Sequence, residues 1–206
     1  MNLQDLSIKD FLAKTAGSDP VPGGGSIAAL CGTLAAALAE MVTGLTIGRK
    51  KYADVQAEME AIAPRMADAR AKFLDYIDKD AQAYDAVFAA FKMPKDTDEQ
   101  REIRAAAIEG TTLYAATVPL AVANLAVDIM PDIAEIAEKG NKNAITDACV
   151  AMMTARTAAL GAILNVRINI AGLTNTTDAD VFAEQCDVLQ ALAIERESAL
   201  LSSVKL

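Results

Sequence analysis

The chain contains no histidine and no tryptophan, and aromatic residues make up only 4% of its 206 positions. Without histidine, both the usual proton shuttle near neutral pH and the commonest metal ligand are missing, so any acid–base chemistry falls to carboxylates, Lys, Tyr or Cys. Cysteine is sparse. Cys31, Cys149 and Cys186 are odd in number, far apart and set in apolar helical patterns, which reads as buried thiols in a reducing compartment. Positive charge is also short: the net charge is −9 and the one basic run is Arg49-Lys50-Lys51, whereas a nucleic-acid surface requires a concentrated basic face. Long hydrophobic runs are missing too. The apolar stretches around 26–39 and 157–166 are rich in Ala and Gly, shorter than a bilayer span and bounded by charge. The first residues, MNLQDLSIKD, lack a cationic segment followed by an apolar one. These absences lead to the expectation of a soluble cytoplasmic protein that binds neither nucleic acid nor membrane. On that expectation the sequon Asn175-Thr176-Thr177 is a chance match.

What is present is small and aliphatic. A hydrophobic content of 53% with so few aromatics predicts a core of Ala, Leu, Ile, Val and Met, and favours helices packed closely together. Apolar positions recur at helical spacing in every long segment, and none alternates with the strand period. The pattern predicts a short amphipathic helix from Ser7, as N-cap, to about Ala16, a core helix from Ser26 to about Gly48, and a long helix over 53–91 that Pro64 kinks or restarts. Further helices are expected over 99–139, bent or broken at Pro119 and Pro131, over 143–171, and over 179–204 after a polar loop. The fold class expected is all-α: one domain, residues 1–206, built as a bundle of five or six helices with small-residue packing faces.

The chain is organised around Pro20 to Tyr52. Gly23, Gly24 and Gly25 precede the core helix that Ser26 opens. They form either a flexible turn into that helix or, if their amides stay open to solvent, an anion-binding mouth at its N-terminus. Deep in the later helices, polar residues recur at four-residue spacing: Asn143 with Asp147, and Asn165 with Asn169. Each must pair with another protein group, with water or with a ligand, so they either line a polar cavity or form interhelical hydrogen bonds and caps. Asp80, one turn before Tyr84, fits such a cavity or an ordinary solvated face. Taken alone, Lys92 and Lys95 read as surface charges.

Several stretches together change that reading. Pro20-Val21-Pro22-Gly23-Gly24-Gly25-Ser26, Leu45 to Tyr52, Asp80 with Ala83-Tyr84, Met93-Pro94-Lys95, Val118-Pro119-Leu120, Gly140-Asn141-Lys142-Asn143 with Thr146-Asp147, and Asn165-Val166 with Asn169 occur in this order along the chain. They resemble the cyclodeaminase domain of formiminotransferase-cyclodeaminase and the free-standing methenyltetrahydrofolate cyclohydrolases similar to it, over residues 7–200. Gly44 stands where the resemblance calls for Asn, and Arg49 where it calls for Lys.

The resemblance implies a cytoplasmic, all-helical, homodimeric enzyme whose substrate is a tetrahydrofolate derivative, with no metal or redox cofactor. It implies hydrolysis of 5,10-methenyltetrahydrofolate to the 10-formyl compound, the alternative being cyclodeamination of 5-formiminotetrahydrofolate. A non-enzymatic helical interaction module is the reading from another class. Asp147 and then Asp80 are the candidate general bases, and Lys51 and Tyr52 assist the leaving nitrogen. Gly23, Gly24, Gly25, Ser26, Tyr52, Tyr84, Asn141, Asn143, Asn165 and Asn169 are candidates for contact with the substrate body, and Arg49, Lys50, Lys51, Lys92 and Lys95 for its glutamate tail. The enzyme reading expects Asp147, Asn143, Asn165 and Asn169 to line one cavity.

Overall fold

The computed structural model describes residues 2–205. Among these the chain forms six α-helices and no strand: α1 Ile8–Thr15, α2 Gly24–Thr46, α3 Gln56–Phe91, α4 Asp98–Lys139, α5 Ile145–Ile170 and α6 Thr176–Ser203. Caps set several of these ends. The Ser7 hydroxyl accepts the Asp10 amide at the start of α1. Thr97 and Gln100 form a reciprocal capping box at α4. Asn175 accepts the Thr177 amide and starts α6 three residues earlier than the periodicity suggested, so the chance sequon is a helix cap.

Buried residues from all six helices form one contiguous core. Helix α2 packs between α3 and α5, and α5 also rests on α4 and α6. Small residues allow the close approach. A Cβ on Gly32 would stand 2.5 Å from the Phe73 ring of α3, and one on Gly161 would stand 3.3 Å from Ala28 of α2. The expectation that no apolar stretch reaches spanning length is corrected here. By length and composition alone, α2, α4 and Lys142–Ile170 are long and apolar enough to cross a membrane. In this fold much of their apolar surface is turned inward, with Ala35, Ala36, Ala123, Ala155 and Ala159 fully buried against neighbouring helices.

The prolines do not break the helices. Pro64 lies inside α3, and Pro119 and Pro131 inside α4, all in uninterrupted helical runs. Each lacks the N–H that would bond the carbonyl four residues earlier, which orphans the carbonyls of Glu60, Ala115 and Val127. Two of the three are satisfied from other helices. Asn169 Nδ2 of α5 donates to the Ala115 carbonyl at 2.8 Å, and an Arg196 guanidinium N–H of α6 donates to that of Val127 at 2.6 Å. The third belongs to Glu60, an exposed residue of α3. These donors replace the hydrogen bond that each of those two prolines removes.

Candidate functional site

Helices α2 and α5 run antiparallel. Gly24, at the start of α2, lies against Asn165 near the end of α5, whereas Thr46, at the end of α2, accepts the Asn141 amide just before α5 begins. Each end of this pair carries a polar cluster. Along α5, Asp147 and Asn165 are 18 residues apart, about 27 Å at the α-helical rise. Within one chain, then, Asp147 and Asn143 share no cavity with Asn165 and Asn169, and that expectation is corrected.

At the first end, Asp80 of α3 fills the mouth of α2. Its Oδ2 accepts the Ser26 hydroxyl at 2.9 Å, and the Ser26 backbone N–H also donates to the carboxylate. The same hydroxyl stands 3.1 Å from the Ile77 carbonyl, so its single proton is shared between two acceptors. Gly25 is required for this approach, because a Cβ there would sit 2.0 Å from Asp80 Oδ1. The anion at this helix N-terminus is therefore the protein's own carboxylate. Gly25 and Ser26 are buried behind it, which leaves Gly23 and the exposed Gly24 at the rim. Burial pushes the Asp80 carboxyl above the usual carboxylate range, and the Ser26 hydrogen bonds offset only part of that rise.

Helices α5 and α4 and the continuation of α3 complete this end. Asn165 Nδ2 donates to the Gly161 carbonyl at 2.8 Å and lies 3.3 Å from where a Gly24 Cβ would be. Asn169, one turn on, is held by the proline-orphaned carbonyl of Ala115. Its donor group thus has a structural task that spacing alone did not reveal, although Pro119, four residues after Ala115, was the available signal. Tyr84, one turn beyond Asp80, is exposed and stacks on Phe88 with ring centroids 6.2 Å apart. Phe88 was missed in the sequence, where its four-residue offset from Tyr84 was the clue.

The second end is a ring of hydrogen bonds around Asn141. Tyr52 Oη donates to Asn141 Oδ1 at 3.3 Å and accepts the Lys142 amide at 3.0 Å. Asn141 Oδ1 also accepts the Asn143 amide at 3.1 Å, while its Nδ2 donates to the Leu45 carbonyl at 3.1 Å. Gly48, at φ +76°, turns the chain out of α2 in a conformation that favours glycine. Beyond it Arg49, Lys50 and Lys51 are exposed, and Lys51 Nζ lies 5.4 Å from the Tyr52 ring centroid. Asp147 is half-buried on the first turn of α5. Lys51 and Tyr52 are thus placed with Asp147 and away from Asp80, about 33 Å along α2 by helical rise. Lys92 and Lys95 lie past the far end of α3, on the Asp80 side.

A cavity of about 760 Å³ is lined by Ala134, Glu138, Lys142, Ile145, Leu200 and Val204 among others, between the ends of α4 and α6, and contains none of the site residues anticipated from sequence. The three cysteines carry free thiols. Cys186 is buried while Cys31 and Cys149 are half-buried, a partial correction to the expectation of three buried thiols.

Comparison with known proteins places this geometry. Residues 7–188 match the family model described as formiminotransferase-cyclodeaminase. A methenyltetrahydrofolate cyclohydrolase of Methylorubrum extorquens is 39% identical over 200 residues, which cover 97% of this chain and 96% of that protein. The formimidoyltransferase-cyclodeaminase of Mus musculus is 35% identical over 184 residues, 89% of this chain but 33% of the longer mouse protein. The crystal structure of a formiminotetrahydrofolate cyclodeaminase from Thermotoga maritima superposes with a TM-score of 0.87 at 29% identity, covering 98% of this chain and 96% of that one. With its fold and nearly all of its length matched, the chain belongs to the formiminotransferase-cyclodeaminase family.

Proposed function

We propose that this chain is a methenyltetrahydrofolate cyclohydrolase that hydrolyses the 5,10-methenyl bridge to the 10-formyl compound. The observation that carries the reading is the end-to-end match to a free-standing cyclohydrolase, whereas the fused mammalian relative is matched over a third of its length. Chemically, water adds to the cationic bridging carbon, one proton is lost, and the tetrahedral adduct collapses with cleavage of the bond to N5. The net reaction consumes one water and releases one proton.

Asp80 is the general base in this account and takes precedence over Asp147. It is the carboxylate whose burial raises its proton affinity toward the working range, and the Ser26 contacts fix its orientation. Its negative charge also stabilises the delocalised cation of the substrate. Asn165, beside Gly24, offers both a donor and an acceptor edge to a pterin.

A second copy of the chain supplies the other half of the site. Leu34, Met41 and Leu45 of α2 and Val150, Met153, Leu164 and Ile168 of α5 are exposed, between 37% and 74%, along faces that run the length of both helices. An unpaired apolar surface of that extent favours association. A two-fold axis perpendicular to the pair sets the Asp80 end of one protomer beside the Asn141–Asp147 end of its partner. Lys51 and Tyr52 would then act across the interface on the leaving nitrogen. We place the homodimer in the cytoplasm, where its folate substrate and free thiols belong.

Cyclodeamination is the second reading, favoured by the Thermotoga structure. Both reactions pass through a tetrahedral carbon between the same two nitrogens. The test follows the near-UV absorbance of the methenyl bridge with purified protein. Loss of the chromophore supports hydrolysis. Its appearance from 5-formiminotetrahydrofolate with release of ammonia supports deamination, and no change in either assay overturns both.

A further inference from the structure

Helix α3 continues past the mouth of α2. From Asp80 onward, positions 80, 84, 88 and 92 fall on one helical face and cover about 18 Å. That face carries a carboxylate, two aromatic rings and a cation in order. Tyr84 and Phe88 stack with 17° between their planes, and both are exposed, 40% and 49%. Lys92 Nζ lies 3.9 Å from the Phe88 centroid. Lys95 follows in the exposed loop. The neighbouring arginines are otherwise engaged: Arg104 donates to the Phe91 carbonyl, and Arg101 pairs with Asp98.

Two stacked, exposed rings beside a half-buried carboxylate, and closed by a lysine, form a surface for a flat aromatic group that ends in an anion. We propose that this face of α3 seats the aminobenzoyl-glutamate arm of the folate, which lies against the exposed edges of Tyr84 and Phe88, with Lys92 as the cation that meets the glutamate carboxylate. The proposal rests on the folate reading above and deepens it. The reacting carbon stands at Asp80, the aminobenzoyl ring lies along Tyr84 and Phe88, and the tail reaches Lys92 about 18 Å along the helix from Asp80. Charge complementarity favours this occupant over a second copy of the chain, since an apolar subunit contact has no use for a lysine over its central ring.

The test measures steady-state kinetics of Phe88→Ala and Lys92→Ala on methenyltetrahydrofolate and on methenyltetrahydropteroate, which lacks the glutamate. Lys9→Ala, on α1, serves as control. Lys92→Ala should raise KM for the glutamate form about tenfold, with the effect shrinking at high salt, and should leave KM for the pteroate form unchanged. Phe88→Ala should raise KM for both forms by several-fold, with circular dichroism and sedimentation unchanged. Equal KM values for wild type and both variants on an active enzyme overturn the track and leave the folate reading standing. A Phe88→Ala protein that changes oligomeric state also overturns it. Wild-type protein that turns over no folate overturns the parent reading, and the track with it.

Discussion

The two ends of the α2–α5 pair carry the same kinds of residue and differ in what surrounds them. At one end Asp80 is pressed against a helix N-terminus by a glycine that has no room for a side chain, and burial raises its proton affinity. At the other, Asp147, half-buried as Asp80 is, sits beside a hydrogen-bond ring centred on Asn141 that is already closed on itself. Position within a motif does not distinguish the two carboxylates. The packing of Asp80 against α2 does, because a carboxyl whose proton affinity is raised by its surroundings is matched to general-base work near neutrality.

The sharpest way to break this comparison is to neutralise each acid in turn. Asp80→Asn should lower kcat/KM by about 10²- to 10⁴-fold, the scale of a lost general base, and Asp147→Asn should stay within about tenfold. Stability should not follow activity. Burial places the folded pKa of Asp80 above its unfolded value, so its stabilising contribution is complete below the ordinary carboxylate range and is lost as pH rises through the folded value. At neutral pH a neutral asparagine, which still accepts from Ser26, should leave the thermal midpoint unchanged or higher.

Gly25→Ala probes the same end without touching the acid. Its methyl group must displace the Asp80 carboxylate, which stands 2.0 Å away, so activity should fall nearly as far as in Asp80→Asn, with a stability cost of about 1 to 3 kcal/mol by denaturant unfolding. Gly24→Ala, which meets Asn165 at 3.3 Å, should show a much smaller loss in both measurements.

A smaller effect tests the structural share of the site. Asn169→Ala leaves the Ala115 carbonyl without a donor and should cost about 1 to 3 kcal/mol. In a Pro119→Ala background the restored backbone N–H takes over that carbonyl, and the same substitution should cost little. A double-mutant cycle in urea measures the coupling. Equal costs in both backgrounds would remove the proline from the explanation.

Most of the fold was legible. Apolar spacing placed every helix, and Ser7, Thr97 and Asn175 mark their starts with side chains suited to capping. The prolines restart or break no helix, and the reason is not local. The donors to Ala115 and Val127 come from 54 and 69 residues along the chain, and no window of sequence contains both partners. The site was legible only as a set of residues. The motifs named both clusters, but their partition between two ends follows from the length of α5 and the antiparallel packing of α2 against it. The glycine run was read as an open anion mouth or a turn. The acid that closes it lies 54 residues away, on another helix.

The most direct test of the claim that Asp80 is the base is the pH dependence of kcat/KM for methenyl hydrolysis, measured on wild type, Asp80→Asn and Asp147→Asn. The account predicts an acid limb above the ordinary carboxylate range in wild type and in Asp147→Asn, with activity falling as pH drops through it, and no such limb in the residual activity of Asp80→Asn. A limb that persists in Asp80→Asn, or disappears in Asp147→Asn, would contradict it.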